Sequence, residues 1–215
     1  DLAQVRDTYA VDLLGHGGSS KDVGDGTLDT LADTILAWAD AVGLDTFHIA
    51  GHSMGSAVAQ VVALKAPDKV KSLALLCPPA FGEALNHEYI EGFVSAQRRK
   101  AIQPFVEMLF ADSALVTREM LDDLIAAKRV DGANDALQKI ADNALSDAAL
   151  ADLRSKASGV TAPALAVFGE KDQIVTGRNI GGFGGKVETL PNSGHMPHLE
   201  SAAAVNALVA DFLAG

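Results

Sequence analysis

Apolar residues along this chain fall into two kinds of run. Short stretches bounded by glycine, proline or charge predict buried strands: Phe47-His48-Ile49-Ala50, Lys71 to Cys77 ahead of Pro78-Pro79, and Ala164 to Phe168 after Pro163. Tyr9 to Leu13 and Lys186 to Leu190 predict two more. Between them, apolar positions return at steps of three and four. Leu28, Leu31, Ala32, Ile35, Ala39 and Val42 predict a helix over 27–42, with Gly43 as its cap. Ser56 to Ala66 predicts a second helix closed by Pro67, and Ala202 to Leu213 a last one. Strands that alternate with helices in this way imply a parallel sheet covered on both faces.

The pattern changes from Phe81 to about Ser158. It contains no convincing strand, but helical segments around 88–99, 102–110, 115–129, 133–145 and 147–156. This predicts an all-helical lid over 81–145, inserted between two parts of an α/β core at 1–80 and 146–215. Tyr89, Phe93, Phe105, Leu109 and Phe110 are its apolar stripe, expected to serve mainly as packing. Gly181-Gly182-Phe183-Gly184-Gly185 reads as a connector, because no strand directly precedes it and no lysine-serine pair follows.

Composition narrows the partners. With 215 residues, 48% of them hydrophobic, the chain can bury a substantial core. A net charge of −11, with Arg98-Arg99-Lys100 as the densest basic run, argues against nucleic acid and anionic membrane surfaces. No apolar run approaches the roughly 20 residues of a membrane span. A single cysteine, Cys77, suits a reducing compartment such as the cytoplasm. The chain opens on Asp1 and enters a strand almost at once, which reads as a fragment whose first strands are missing.

The candidate chemistry centres on Gly51-His52-Ser53-Met54-Gly55, between a strand and a helix. A G-x-S-x-G in that context is a nucleophile elbow, with Ser53 raised above the sheet at a helix amino terminus that favours a developing anion. Gly51 and Gly55 are expected where any Cβ would collide between strand and helix. A serine nucleophile needs a base, and the base an orienting carboxylate. Asp172 follows the strand ending at Phe168, with Glu170 as the rival acid, and His195 follows the last strand. Both loops should reach the sheet edge that carries Ser53. The backbone N–H of Met54 is the expected oxyanion donor; a second would come from a loop before Tyr9. Among the other histidines, His52 should point away from the hydroxyl, His16 could line the pocket, His198 reads as structural, and His48 and His87 carry no signal. No His, Cys, Asp or Glu group has metal-ligand spacing. Cys77 is expected to be an inert buried thiol.

With these residues in place, the chain resembles the α/β-hydrolase superfamily along its whole length. The segments 86–93, Leu109-Phe110-Ala111-Asp112, Val116-Thr117-Arg118 and 128–132 resemble the hydrolase-fold domain of the dihydrolipoyl acetyltransferase subunit of acetoin dehydrogenase complexes. Asp12-Leu13-Leu14-Gly15-His16-Gly17 and Gly194-His195-Met196-Pro197-His198 agree, as they do across the superfamily. The resemblance implies acetyl transfer from a lipoyl-lysine to coenzyme A, both as substrates, with no tightly bound cofactor and with dehydrogenase-complex subunits as partners. Three features depart from that family: no lipoyl module, no first strands with their oxyanion loop, and Ser56 in place of a second glycine after Gly55. Three functions stand open: serine-dependent acyl transfer to a thiol, hydrolysis of an ester, thioester or activated carbon–carbon bond on a small acyl substrate, and a non-catalytic binding domain.

Overall fold

The computed structural model describes Ala3 and residues 6–214. Four strands, β1 (Phe47–His52), β2 (Val70–Leu76), β4 (Ala164–Gly169) and β6 (Lys186–Leu190), form a parallel sheet in that order. Two short strands, β3 (Ala84–Leu85) and β5 (Val175–Thr176), pair antiparallel beside it. All six residues of β4 are buried, as a strand flanked on both edges and covered on both faces requires.

Successive residues of the central strands serve opposite faces. Leu73, Leu75, Ala164, Ala166 and Phe168 pack with α1 (Leu28–Ala41) and α2 (Met54–Lys65). Ala74, Leu165 and Val167 pack with Val205 and Val209 of α9 (Ala202–Ala214) on the other side. Thr27 caps α1 by accepting from the Thr30 amide. Residues Ser56 to Ala63 of α2 are all buried, so this helix lies inside the molecule rather than along its surface.

Between β2 and β4 the chain inserts α3 (His87–Ser95), α4 (Arg99–Glu107), α5 (Arg118–Lys128), α6 (Ala133–Ala144) and α7 (Asp147–Ser155). Asn86, Thr117 and Ser146 cap three of them through their side chains. Ile102, Val106, Phe110, Leu121 and Ile125 form a core of the insert's own, against which Phe93 and Leu109 pack. Tyr89 packs against a further cluster that contains Leu85 and Ile174, and Phe105 lies against Gly92. The segment is not wholly helical, because β3 lies within it. That strand pairs with β5 and stays outside the main sheet.

One expected strand does not form. Tyr9 to Leu13 forms no regular element and has no strand partner among the described residues. Tyr9 is 55% exposed and sets its ring edge-on against Trp38 of α1. The residues suit a strand, but a strand exists only through a neighbour, and none of the described residues supplies one. Between this segment and the outer edge of β1 runs a cavity of about 590 Å³, lined by Tyr9, Val11, Leu13, Trp38, Phe47 and Ile49. Gly51 and His52 also line it, and neither Ser53 nor His195 does.

Candidate active site

Three parallel strands deliver their following loops to one edge of the sheet. Ser53 comes directly after β1, Asp172 three residues after β4, and His195 five residues after β6. Ser53 has φ 51° and ψ −123°, a conformation that side chains rarely adopt. It is held there by the turn: its amide donates to the Leu76 carbonyl at 2.8 Å, and α2 begins at the next residue. Gly51 makes the turn possible. A Cβ at that position would stand 2.1 Å from the Gly55 carbonyl oxygen. The expectation for Gly55 is corrected, since a Cβ there would meet nothing within 4 Å. The close approach uses Gly55's backbone, not its missing side chain.

The three side chains meet. His195 Nε2 lies 2.8 Å from Ser53 Oγ, and His195 Nδ1 lies 2.8 Å from Asp172 Oδ2. The side chains of His195 and Asp172 are buried, 2% and 3% exposed. The other Asp172 oxygen accepts from the Ile174 and Val175 amides at 2.8 and 3.0 Å. Burial pushes the Asp172 carboxyl upward, but the hydrogen bond and charge of His195, with those two amides, outweigh it and hold the group below the ordinary carboxylate value. Glu170 is exposed, and its amide donates to the Leu190 carbonyl at 3.0 Å. Met54 opens α2, so its amide is among the first-turn N–H groups that a helix leaves without an internal acceptor.

Two further histidines lie beside this cluster. The His52 ring lies 4.9 Å from that of His195, and its Nε2 donates to the His195 carbonyl at 2.6 Å. It therefore braces the loop through the backbone of His195. Burial, then the charges of His195 and His198, lower its pKa to about 3. His198 packs 4.6 Å from His52, and burial lowers its pKa as well. His16 bonds its own loop through the Leu14 carbonyl, His48 bonds Ser72, and His87 bonds Asp147. Cys77 is fully buried, and burial, then the nearby Asp172 charge, raises its thiol above the usual range.

Among the described residues, one group could hold a metal ion: His52, Cys77 and His195, with ligand atoms within 4.8 Å of one another. Their sequence spacing hides this, because each comes from a different strand end. Both His195 nitrogens and His52 Nε2 already have hydrogen-bond partners, and a thiol raised by burial resists becoming the thiolate that metals bind. No described helix is long and apolar enough to cross a membrane.

Residues 1–202 match the family model described as alpha/beta hydrolase fold. A dihydrolipoyllysine-residue acetyltransferase component of the acetoin cleaving system from Pseudomonas putida is 44% identical over 214 residues, covering 99% of this chain. The chain spans 57% of that relative's length. A pimeloyl-acyl-carrier-protein methyl ester esterase from Neisseria meningitidis serogroup B is 31% identical, over 96% of this chain and 82% of its own. Among solved structures, a serine hydrolase from Cycloclasticus zankles superimposes with a TM-score of 0.84 over 95% of this chain and 78% of its own, at 18% identity. That last likeness is one of fold.

Proposed function

The chain belongs to the α/β-hydrolase family, and on that premise we propose that it carries an acyl group on Ser53 and passes it to a thiol, as an acetyltransferase of the acetoin-cleaving type. The contact of Ser53 Oγ with His195 Nε2, backed by Asp172, is the observation that carries the catalytic half of this reading. The carboxylate can only accept, so it keeps the proton on His195 Nδ1 and leaves Nε2 bare toward the hydroxyl. Ser53 then attacks the carbonyl of an acetyl thioester while Nε2 takes its proton, and the Met54 amide faces the oxyanion. Collapse of the adduct expels the lipoyl thiolate, which takes the proton from His195. Coenzyme A thiol repeats the sequence in reverse: it gives His195 its proton, accepts the acetyl group and returns Ser53 to its hydroxyl form. Residues 81–145 are read as a lid over this edge.

The acetyltransferase half rests on the 44% identity to the Pseudomonas putida component. Lipoyl-lysine and coenzyme A are accordingly the proposed substrates, and other subunits of an acetoin-cleaving complex the proposed partners. The 31% identity to the Neisseria esterase favours a second reading, in which water releases the acyl group. The two differ only in what attacks acyl-Ser53. Incubation with S-acetyl-dihydrolipoamide, with and without coenzyme A, separates them. Acetyl-coenzyme A as the dominant product supports transfer; free acetate formed at the same rate in both mixtures establishes hydrolysis. A Ser53→Ala variant that keeps either activity removes the catalytic reading altogether.

A further inference from the structure

The loop that carries His195 is held from outside by a single carboxylate. Glu200 ends α8 (Pro197–Glu200), and its Oε1 accepts from the Gly194 amide at 2.8 Å and the Met196 amide at 3.3 Å. Those amides bracket His195 in the sequence. Glu200 Oε2 turns the other way and accepts from the Ala111 amide at 2.7 Å, in the segment that leaves α4 of the inserted helices. The same segment receives the N–H of His195 itself, on the Leu109 carbonyl at 2.8 Å. Gly194 allows this approach: a Cβ there would lie 2.7 Å from the Ala111 nitrogen and 2.9 Å from the Leu109 oxygen. His52 occupies the last free backbone group of His195, its carbonyl.

We propose that Glu200 is a positioning residue, whose carboxylate fastens segment 109–111 to the His195 loop so that the imidazole reaches Ser53 and Asp172 only while that segment is docked. The proposal rests on the reading of His195 as the base. Each oxygen serves a different segment, and hydrogen bonds to an ionised acceptor are about twice as strong as neutral ones. An amide in the same place has one accepting oxygen and turns an NH₂ donor toward a backbone N–H, so it holds one segment and repels the other. The inserted helices are thereby coupled to the base through three bonds to Glu200 and one to Leu109. A residue that merely added stability would loosen the whole domain. A coupling residue loosens two segments far apart in sequence together and leaves the sheet alone.

The test compares Glu200→Gln and Glu200→Asp with the parent in the full-length protein. Amide hydrogen exchange is followed in peptides covering 109–111, 194–196 and β4, and the rate of fluorophosphonate labelling of Ser53 is resolved into its maximal rate and half-saturating concentration. Glu200→Gln is expected to raise exchange about tenfold in the first two regions together and to leave β4 unchanged. It should slow maximal labelling by up to about 10²-fold with little change in half-saturation, as displacement of a catalytic group does. Glu200→Asp, which keeps both oxygens, should restore part of the paired protection; it also stands in if the glutamine variant does not fold. Exchange that rises in one region alone, rises equally in β4, or stays unchanged overturns the coupling. Should the parent itself fail to label, the role of Ser53 and His195 falls, while the exchange result still decides the role of Glu200.

Discussion

Replacing Ser53 by glycine should leave the protein more stable than replacing it by alanine, although both variants lose the hydroxyl. Ser53 stands at φ 51° and ψ −123°, and residues held in such regions cost about 1–3 kcal/mol. Both substitutions remove the bond to His195 Nε2, so that loss cancels between them. Alanine keeps the Cβ and the strain that comes with it. Glycine sheds the strain and gives back about 0.5–1 kcal/mol through the greater freedom of its unfolded chain. The difference is roughly 1 kcal/mol in favour of glycine, which for a chain of 215 residues is a melting temperature higher by about 2–4 °C. Calorimetry on the two variants, both expected to be inactive if Ser53 is the nucleophile, reads this without interference from activity. If Ser53→Gly melts at or below Ser53→Ala, the turn is not strained at this residue and the backbone account of the elbow is wrong.

Three further outcomes are expected. Asp172→Asn should cut turnover by on the order of 10⁴, as loss of the orienting carboxylate does elsewhere, whereas Glu170→Gln should leave it within twofold; equal losses in an ester or thioester assay would reverse the assignment. His52 has a folded pKa of about 3, below its unfolded value of 6.5, so the unfolded chain takes up a proton that the folded one refuses. Stability should therefore fall as pH drops from 6.5 toward 3, by up to about 1.4 kcal/mol per unit from this group; urea midpoints at pH 7, 6 and 5 should show a shallower slope in His52→Gln, and an identical slope rules the account out. Gly51→Ala should destabilise by about 1–3 kcal/mol, given its 2.1 Å approach to the Gly55 oxygen, while Gly55→Ala should gain up to about 1 kcal/mol of helix propensity; thermal melts that rank the two the other way contradict the turn geometry.

What the sequence made legible was local. The elbow strand, α2 and the strands at 70–76 and 164–169 follow from apolar runs bounded by glycine and proline, and their boundaries lie within a residue or two of those expected. The loop positions of Asp172 and His195 follow from β4 and from the equally legible β6, because parallel strands send their following loops to one edge. Features that depend on a remote neighbour were hidden. Tyr9 to Leu13 has strand composition and no strand beside it among the described residues. The two-residue strands β3 and β5 are too short for any periodicity, and exist because Leu85 meets Val175 across 90 residues. His52 reaches a carbonyl 143 positions away, and Glu200 an amide 89 positions away. Nothing at those sites marks them, although a carboxylate five residues after a histidine can fold back on it across a single helical turn.

The outer edge of β1 bears on how the chain behaves among copies of itself. Along that edge, N–H and C=O groups have no strand partner among the described residues, and the adjoining wall is apolar. Such a row is a template on which another extended backbone can lie, and sheets that end in this way tend to adhere to one another. The net charge of −11 works against it by keeping molecules apart, over a distance that salt shortens to about 10 Å at 0.1 M. Self-association is thus a contest between an adhesive strip on one flank and a repulsion spread over the whole surface. Ionic strength weakens only the repulsion, so the chain by itself should gather into larger species as salt is raised, with β1 as the seam.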